Sequence, residues 1–238
     1  MKIPGAATIL RAVINPLKNK YLRARPLGVA GAALAALLAC GGKPKDLTPE
    51  PTAPLPTAGL AAQQVGVLPL TLLAADDSLH WEKTLGQRRA ALAKADSVVG
   101  ALLVARAPEV SWLLPDELRR AARRAPGIAP DPDQMGTAIL LRGGKFEVVP
   151  DPLRSELRTL AAIAGSGGGR YALIPAGLIY RRTVVPPAGA PFATAELTVV
   201  MVDVRTGRIG FRTVARGEGD DPWTALTRAV KRLTPGLP

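Results

Sequence analysis

Residues 64–238 change hydrophobic period repeatedly, and each change marks an element. Val65-Gly66-Val67-Leu68-Pro69-Leu70 is a short apolar run ending near Asp76-Asp77, which predicts a buried strand. Leu92, Ala95, Val99 and Leu102 then recur at helical spacing and predict a helix over about Leu85–Arg106, stopped by Pro108. Val110–Leu114 reads as a second short strand. Pro115-Asp116-Glu117 opens a helix with acids in its first turn. Arginines lie toward its end and Pro126-Gly127 closes it, both placements suiting the helix dipole.

Residues 132–149 fit two patterns. One is a helix over Pro132–Leu141 followed by a short strand; the other is a hairpin of Ala138–Leu141 with Phe146–Val149 about Gly143-Gly144. The first is preferred. Asp151-Pro152 caps a helix whose Leu153, Leu157, Leu160 and Ala164 share a face before Gly165 ends it. Arg170–Arg181 is a strand. Ala193–Asp203 is a stronger one, with Leu197, Val199 and Met201 alternating against Thr198 and Val200. Asp203-Val204-Arg205-Thr206-Gly207 is a turn that returns the chain along Ile209–Ala215. Asp221-Pro222 caps a last helix with Trp223, Leu226, Val230 and Leu233 on one face, and Pro235 ends it. This order predicts one α/β domain over 64–238, a mixed sheet flanked by helices with its first two strands parallel.

The first 63 residues follow a different pattern. Pro26–Ala39 is an Ala- and Leu-rich run of 14 residues. A membrane-spanning helix needs about 20, whereas the apolar part of a secretory signal needs about 7–15. Lys2, Arg11, Lys18, Lys20, Arg23 and Arg25 precede it without an acid. Residues 1–25 are long for the charged part of a signal; either it is extended or translation starts later than Met1. The run ends in Leu37-Leu38-Ala39-Cys40-Gly41-Gly42. This resembles the lipobox of bacterial lipoproteins, which implies a signal peptide over 1–39, cleavage before Cys40 and lipid on that cysteine. The lipid implied is a diacylglyceryl group, usually with a further acyl chain, which anchors stably. By resemblance to enterobacterial lipoprotein sorting, Gly41 in place of Asp implies the outer membrane, with the domain facing the periplasm. Residues 40–63, with Pro44, Pro49, Pro51, Pro54 and Pro56, read as a disordered tether. Extended at about 3.1 Å per residue, it would reach roughly 70 Å.

Composition narrows the chemistry. Net charge is +12, and half of it lies in residues 1–40. The remainder does not by itself indicate nucleic acid. One cysteine and one histidine exclude an intrachain disulfide and a Cys/His zinc cage. His80 stands without a second histidine or a Gly-x-Ser-x-Gly turn, which leaves a nucleophilic triad unsupported. Gly165-Ser166-Gly167-Gly168-Gly169-Arg170 runs from helix to strand, the reverse of a phosphate loop. Asp131 and Asp133 lack the Gly and the terminal Glu of a calcium loop, and read as turn and cap residues. Asp220 and Asp221 read likewise. Trp112 and Trp223 are expected in the core. Arg119, Arg120, Arg123 and Arg124, with Arg88, Arg89, Arg181 and Arg182, are a possible basic binding face for anionic lipid head groups, wall polymers or an acidic protein, although a solvated helix face explains them too. No catalytic residue, cofactor or metal is expected.

Three segments together resemble a family. Val65–Leu70 resembles the first strand of the TolB N-terminal-like and curli-assembly-lipoprotein-like domains. Gly169-Arg170-Tyr171-Ala172-Leu173-Ile174-Pro175-Ala176-Gly177 resembles a later strand of theirs. Leu197 through Val202-Asp203-Val204-Arg205-Thr206-Gly207-Arg208-Ile209 resembles their hairpin. The likeness spans about 65–233 in the right order. It implies a non-enzymatic domain of lipoproteins, closest in layout to penicillin-binding-protein activators, and an envelope protein as partner. A pore-forming member needs two long membrane hairpins, and only one long hairpin is predicted here. The functional expectation is a lipid-anchored protein-interaction or assembly module. The alternative is a binder of anionic envelope polymers or lipid head groups, with an enzyme ranked last.

Overall fold

The computed structural model describes residues 52–142, 146–164, 169–183 and 192–234. Six strands form one sheet: β1 (Gln64–Val67), β2 (Leu73–Ala75), β3 (Ser111–Leu113), β4 (Tyr171–Arg182), β5 (Ala193–Asp203) and β6 (Ile209–Gly219). Five α-helices accompany them: α1 (Glu82–Leu85), α2 (Arg88–Arg106), α3 (Pro115–Arg124), α4 (Leu153–Ala164) and α5 (Pro222–Leu233). The order across the sheet is β3-β1-β4-β5-β6, with β2 also on β4. β3, β1, β4 and β2 pair in parallel, while β4, β5 and β6 are antiparallel. This is the predicted α/β class with a mixed sheet, and the first two predicted strands are parallel neighbours.

β4 organises the sheet. One edge takes β1 at Val65↔Tyr171 and, further along, β2 at Leu73↔Leu178. Between them Leu68 N–H donates to Leu173 and Leu178 N–H to Leu72, so the segment stays attached. The register of β4 against β5 shifts between Pro175 and Gly177. A proline cannot donate to a ladder, and a bulge at that point removes the demand.

Period-2 alternation on the strands splits the core into two layers. One face carries Leu173, Leu178, Leu197 and Val199 and packs against Ala95, Val99 and Leu103 of α2 and Leu226, Val230 and Leu233 of α5. The other carries Ile174, Val200 and Val202 and packs against Leu118 of α3, Leu157 and Leu160 of α4, and Leu140. Tyr180 is fully buried, its hydroxyl donating to Pro222 C=O at 3.0 Å, with Trp81 edge-on at 5.4 Å.

Several expectations are corrected. The helix predicted over about Leu85–Arg106 starts at Arg88 as α2, because Gly86, where φ is 66°, separates it from the short α1 before it. Its inner face uses Leu103; Leu102 is only half-buried. Among the described residues of 132–149 there is no α-helix. They form short 3-10 turns at Pro132–Gln134 and Thr137–Leu141, then a single bridge between Val148 and Arg208. Pro130, Pro132 and Gly136 interrupt that stretch, so its apolar residues bury one turn at a time. β2, in Leu72-Leu73-Ala74-Ala75, was not anticipated, and β6 runs on to Gly219.

The packed domain also begins before residue 64. Leu55 and Leu60 are 4% and 2% exposed. Leu55 N–H donates to Leu233 C=O at 2.8 Å, and Ala53 C=O accepts from the Thr213 hydroxyl at 2.7 Å. Ala62 N–H donates to Glu109 C=O at 2.9 Å. The two leucines carry no periodicity of their own because only a single 3-10 turn, Thr57–Leu60, follows Pro54 and Pro56.

Two substitutions test this packing. Leu60→Ala should lower stability to chemical unfolding by about 3 kcal/mol, the usual cost of emptying a buried leucine site, where a tether residue would cost nothing. At Gly217 an added Cβ would lie 2.1 Å from Ala229 N and 2.3 Å from Ala225 C=O. Gly217→Ala must therefore push α5 off β6, and should cost about 2 kcal/mol or more in the same assay.

Candidate functional site

The polar chemistry of the domain gathers where α2 passes α3. Asp96 lies on the inner face of α2, its side chain 6% exposed. One carboxylate oxygen accepts the Leu70 N–H at 2.8 Å and the other accepts from Arg119 of α3 at 2.7 Å. Arg119 also donates to Asp133 at 2.7 Å and Asp116 at 2.9 Å, so three carboxylates share one guanidinium. Asp133 is delivered by the Pro132–Gln134 turn, which Asp131 caps by accepting the Asp133 N–H. Burial pushes the Asp96 carboxyl above its ordinary 3.8, against the Leu70 and Arg119 hydrogen bonds that pull it down. Arg119 is driven further toward its charged form by Asp133, against burial, with Asp96 and Asp116 adding to it.

Beside this network runs a groove of about 690 Å³ that Arg88, Arg89, Arg119 and Arg123 line together with Asp131 and Asp133. The structure thus brings four of the predicted arginines together, from two helices. It does not make them equivalent. Arg119 is committed to carboxylates, and Arg88 donates to Thr71 C=O at 3.0 Å. Arg120 turns back to Asp116 C=O, and Arg123 and Arg124 are exposed. Arg181 and Arg182 lie elsewhere, at the end of β4: Arg181 pairs with Glu196, and Arg182 donates to Ser78 C=O. Cys40, with Leu37, Leu38 and Ala39 before it, lies outside the described residues, as does most of the Gly165–Gly169 run.

The remaining candidates have structural places. His80 is exposed in a left-handed turn at φ 52°. Asp221 caps α5 by accepting the Trp223 and Thr224 N–H groups. Trp112 donates to Ala107 C=O at 2.9 Å, and Lys94 lies 4.2 Å over the Trp223 ring. Among the described residues, no helix is long and apolar enough to cross a membrane, and no group of three or more His, Cys, Asp or Glu side chains is placed to hold a metal. Sequence reasoning passed over Asp96. Its signal was visible: a carboxylate three residues before Val99 and four after Leu92, on the apolar stripe, needs a buried partner.

No protein-family model matches the chain. No curated protein matches it. Among solved structures it is similar to the LpoB C-terminal domain from Salmonella enterica, at 15% identity over 68% of this chain and 84% of that one, with a TM-score of 0.30. It is similar also to the PelC dodecamer from Paraburkholderia phytofirmans, at 11% identity over 72% and 87%, with a TM-score of 0.33. The NMR structure of E. coli LpoB matches at 15% identity over 90% and 82%, with a TM-score of 0.31. The fold described above rests on sheet order and register, not on these scores.

The Asp96–Arg119 network predicts two effects. Asp96→Ala leaves Leu70 N–H unpaired and removes one carboxylate from Arg119, and should cost about 3 kcal/mol. An acid whose pKa is raised in the folded state holds its proton more tightly there than in the unfolded chain. The stability it contributes therefore falls as pH rises from about 3.8 through the raised value. Urea unfolding across pH 4–7 should show wild type losing stability relative to Asp96→Asn as pH rises.

Proposed function

We propose that this chain is a lipid-anchored cell-envelope protein whose α/β head is a non-enzymatic protein-interaction or assembly module. One observation carries the reading: the sole cysteine, Cys40, follows Leu37-Leu38-Ala39 at the end of a 14-residue apolar run behind six basic residues. The fold supports it. With Ala53–Ala62 packed on the head, only about a dozen residues separate Cys40 from the domain. If fully extended at about 3.1 Å per residue, they would reach roughly 40 Å at most. Asp96, Arg119, Asp116 and Asp133 are spent on one another and on the Leu70 N–H, as suits a rigid binding scaffold. An outer-membrane anchor facing the periplasm, with an envelope protein as partner, is the form this reading takes.

The alternative is an anionic polymer or lipid head group bound along α3, through Arg120, Arg123 and Arg124 with Arg88 and Arg89. Arg119 brings no free charge to it. Salt separates the two readings. Binding to an anionic glycan should collapse between low and physiological salt, whereas a protein partner held by shape and hydrogen bonds should persist.

Metabolic labelling with a fatty-acid probe, followed by membrane fractionation, tests the anchor. The wild-type chain should be labelled and membrane-bound, and Cys40→Ala should lose both. A wild-type chain that stays unlabelled and soluble in the periplasm would overturn the proposal.

A further inference from the structure

A second groove, of about 550 Å³, opens at the far end of the sheet, where α4, the starts of β1 and β4, and the β5–β6 turn meet. Arg158, Arg170 and Arg205 line it with Gln63 and Gln64, and among the described residues no acidic side chain does so. It differs in this from the α2–α3 groove, where Asp131 and Asp133 share the lining.

The arginines are held while most of their donors stay open. Arg170, the residue before β4, gives Nε to Asp203 at 2.9 Å and lies 5.2 Å over the Tyr171 ring, which leaves both of its terminal nitrogens unbonded to any described group. Arg158 of α4 gives one terminal nitrogen to Arg205 C=O at 3.0 Å. Arg205 sits in the Asp203–Gly207 turn, which is fixed because Asp203 Oδ1 accepts the N–H of Arg205 at 3.0 Å and of Thr206 at 3.2 Å. Asp203 thus holds the Arg170 guanidinium through one carboxylate oxygen and the Arg205 backbone through the other. The floor is equally constrained: a Cβ on Gly169 would lie 2.8 Å from Gln64 C=O, so β4 starts hard against β1.

We propose that this groove is a binding site for a phosphate monoester. Three guanidinia against the single Asp203 carboxylate leave two positive charges, which a phosphate dianion neutralises and a lone carboxylate does not. A guanidinium fork matches paired phosphate oxygens, and Arg158 and Arg170 are already oriented by hydrogen bonds, so less side-chain entropy is lost on binding. Gln63 and Gln64 add neutral donors for the rest of the ligand. Phosphate of this class reaches an envelope protein either on a lipid head group or on a soluble metabolite. The inference is independent of the anchor: Cys40 labelling can fail while phosphate binding stands.

Calorimetric titration of the full chain in detergent with inorganic phosphate at low salt tests it. Saturable one-site binding is expected. Arg158→Gln and Arg205→Gln should each weaken it about ten-fold or more, since each removes a charge-assisted contact. Arg228→Gln, on α5, should leave it unchanged. Asp203→Asn separates a built site from general charge. It adds a net positive charge yet releases Arg170 and the turn, so binding should weaken although the domain gains charge. Absence of saturable binding, equal weakening by all three arginine variants, or tighter binding in Asp203→Asn would each overturn the proposal. Far-UV circular dichroism confirms that each variant is folded. A vesicle arm on the Cys40→Ala chain identifies the source. Phosphatidic acid vesicles that displace inorganic phosphate, where phosphatidylcholine vesicles do not, identify a lipid head group. Phosphate binding undisturbed by either vesicle identifies a soluble phosphate.

Discussion

Everything in this domain depends on β4 being hydrogen-bonded along both edges. Its 12 residues receive β1 and β2 on one side and the whole of β5 on the other. The parallel half of the sheet and the antiparallel half therefore share one strand. The irregularity at Pro175–Gly177 is what allows it. Gly177 completes the arrangement, because a Cβ there would meet Leu141 and Leu72 at 3.0 Å. The two helical layers then follow from which face each β4 side chain takes: Leu173 and Leu178 toward α2 and α5, Ile174 toward α4.

The arginine content has a structural meaning that net charge conceals. Many arginines donate to backbone carbonyls that secondary structure leaves open. Arg106 reaches Thr234 C=O at the end of α5, at 2.6 Å. Arg228 and Arg232 return from α5 to Glu218 and Arg216 C=O on β6. Arg212 is the extreme case: it is 7% exposed and donates to Leu140 C=O, and its other terminal nitrogen has no partner among the described residues. Burial lowers its pKa. In a chain with few aromatic residues, these long stems also cover apolar surface that rings would otherwise fill. A count of basic residues therefore overstates what is free to bind. The two grooves show the difference: Arg119 is saturated by carboxylates, while Arg158, Arg170 and Arg205 keep open donors.

The carboxylates divide on the same principle. Burial raises Glu196 and Asp203, but hydrogen bonds from Arg181 and Arg216 on Glu196, and from Arg170 and the turn N–H groups on Asp203, outweigh it and hold both below the ordinary range. Asp96 shows the opposite balance, since desolvation on the inner face of α2 exceeds what Leu70 and Arg119 return. Depth decides the sign, and depth is a property of packing.

Local physics made most elements legible in the sequence. Alternation along Leu197–Met201, the Asp221-Pro222 cap and the Asp203–Gly207 turn each act within a few residues, so β5, the start of β6 and α5 stand where periodicity and capping put them. The apolar run before Cys40 is equally a local pattern, and the sequence alone defines it. Tertiary structure decided the rest, because those interactions join residues whose separation carries no period. Leu55 is buried only because α5 ends beside it, 178 positions later at Leu233. Asp96 meets Arg119 across 23 residues, and Arg170 meets Asp203 across 33. Residues 132–142 lacked a period strong enough to choose a helix, and the sheet face they cover chose single turns instead. Sequence pattern determined most of the strands and helices, with β2 and residues 132–142 left to packing. Only the packed sheet determined which arginines are neutralised and which stand open.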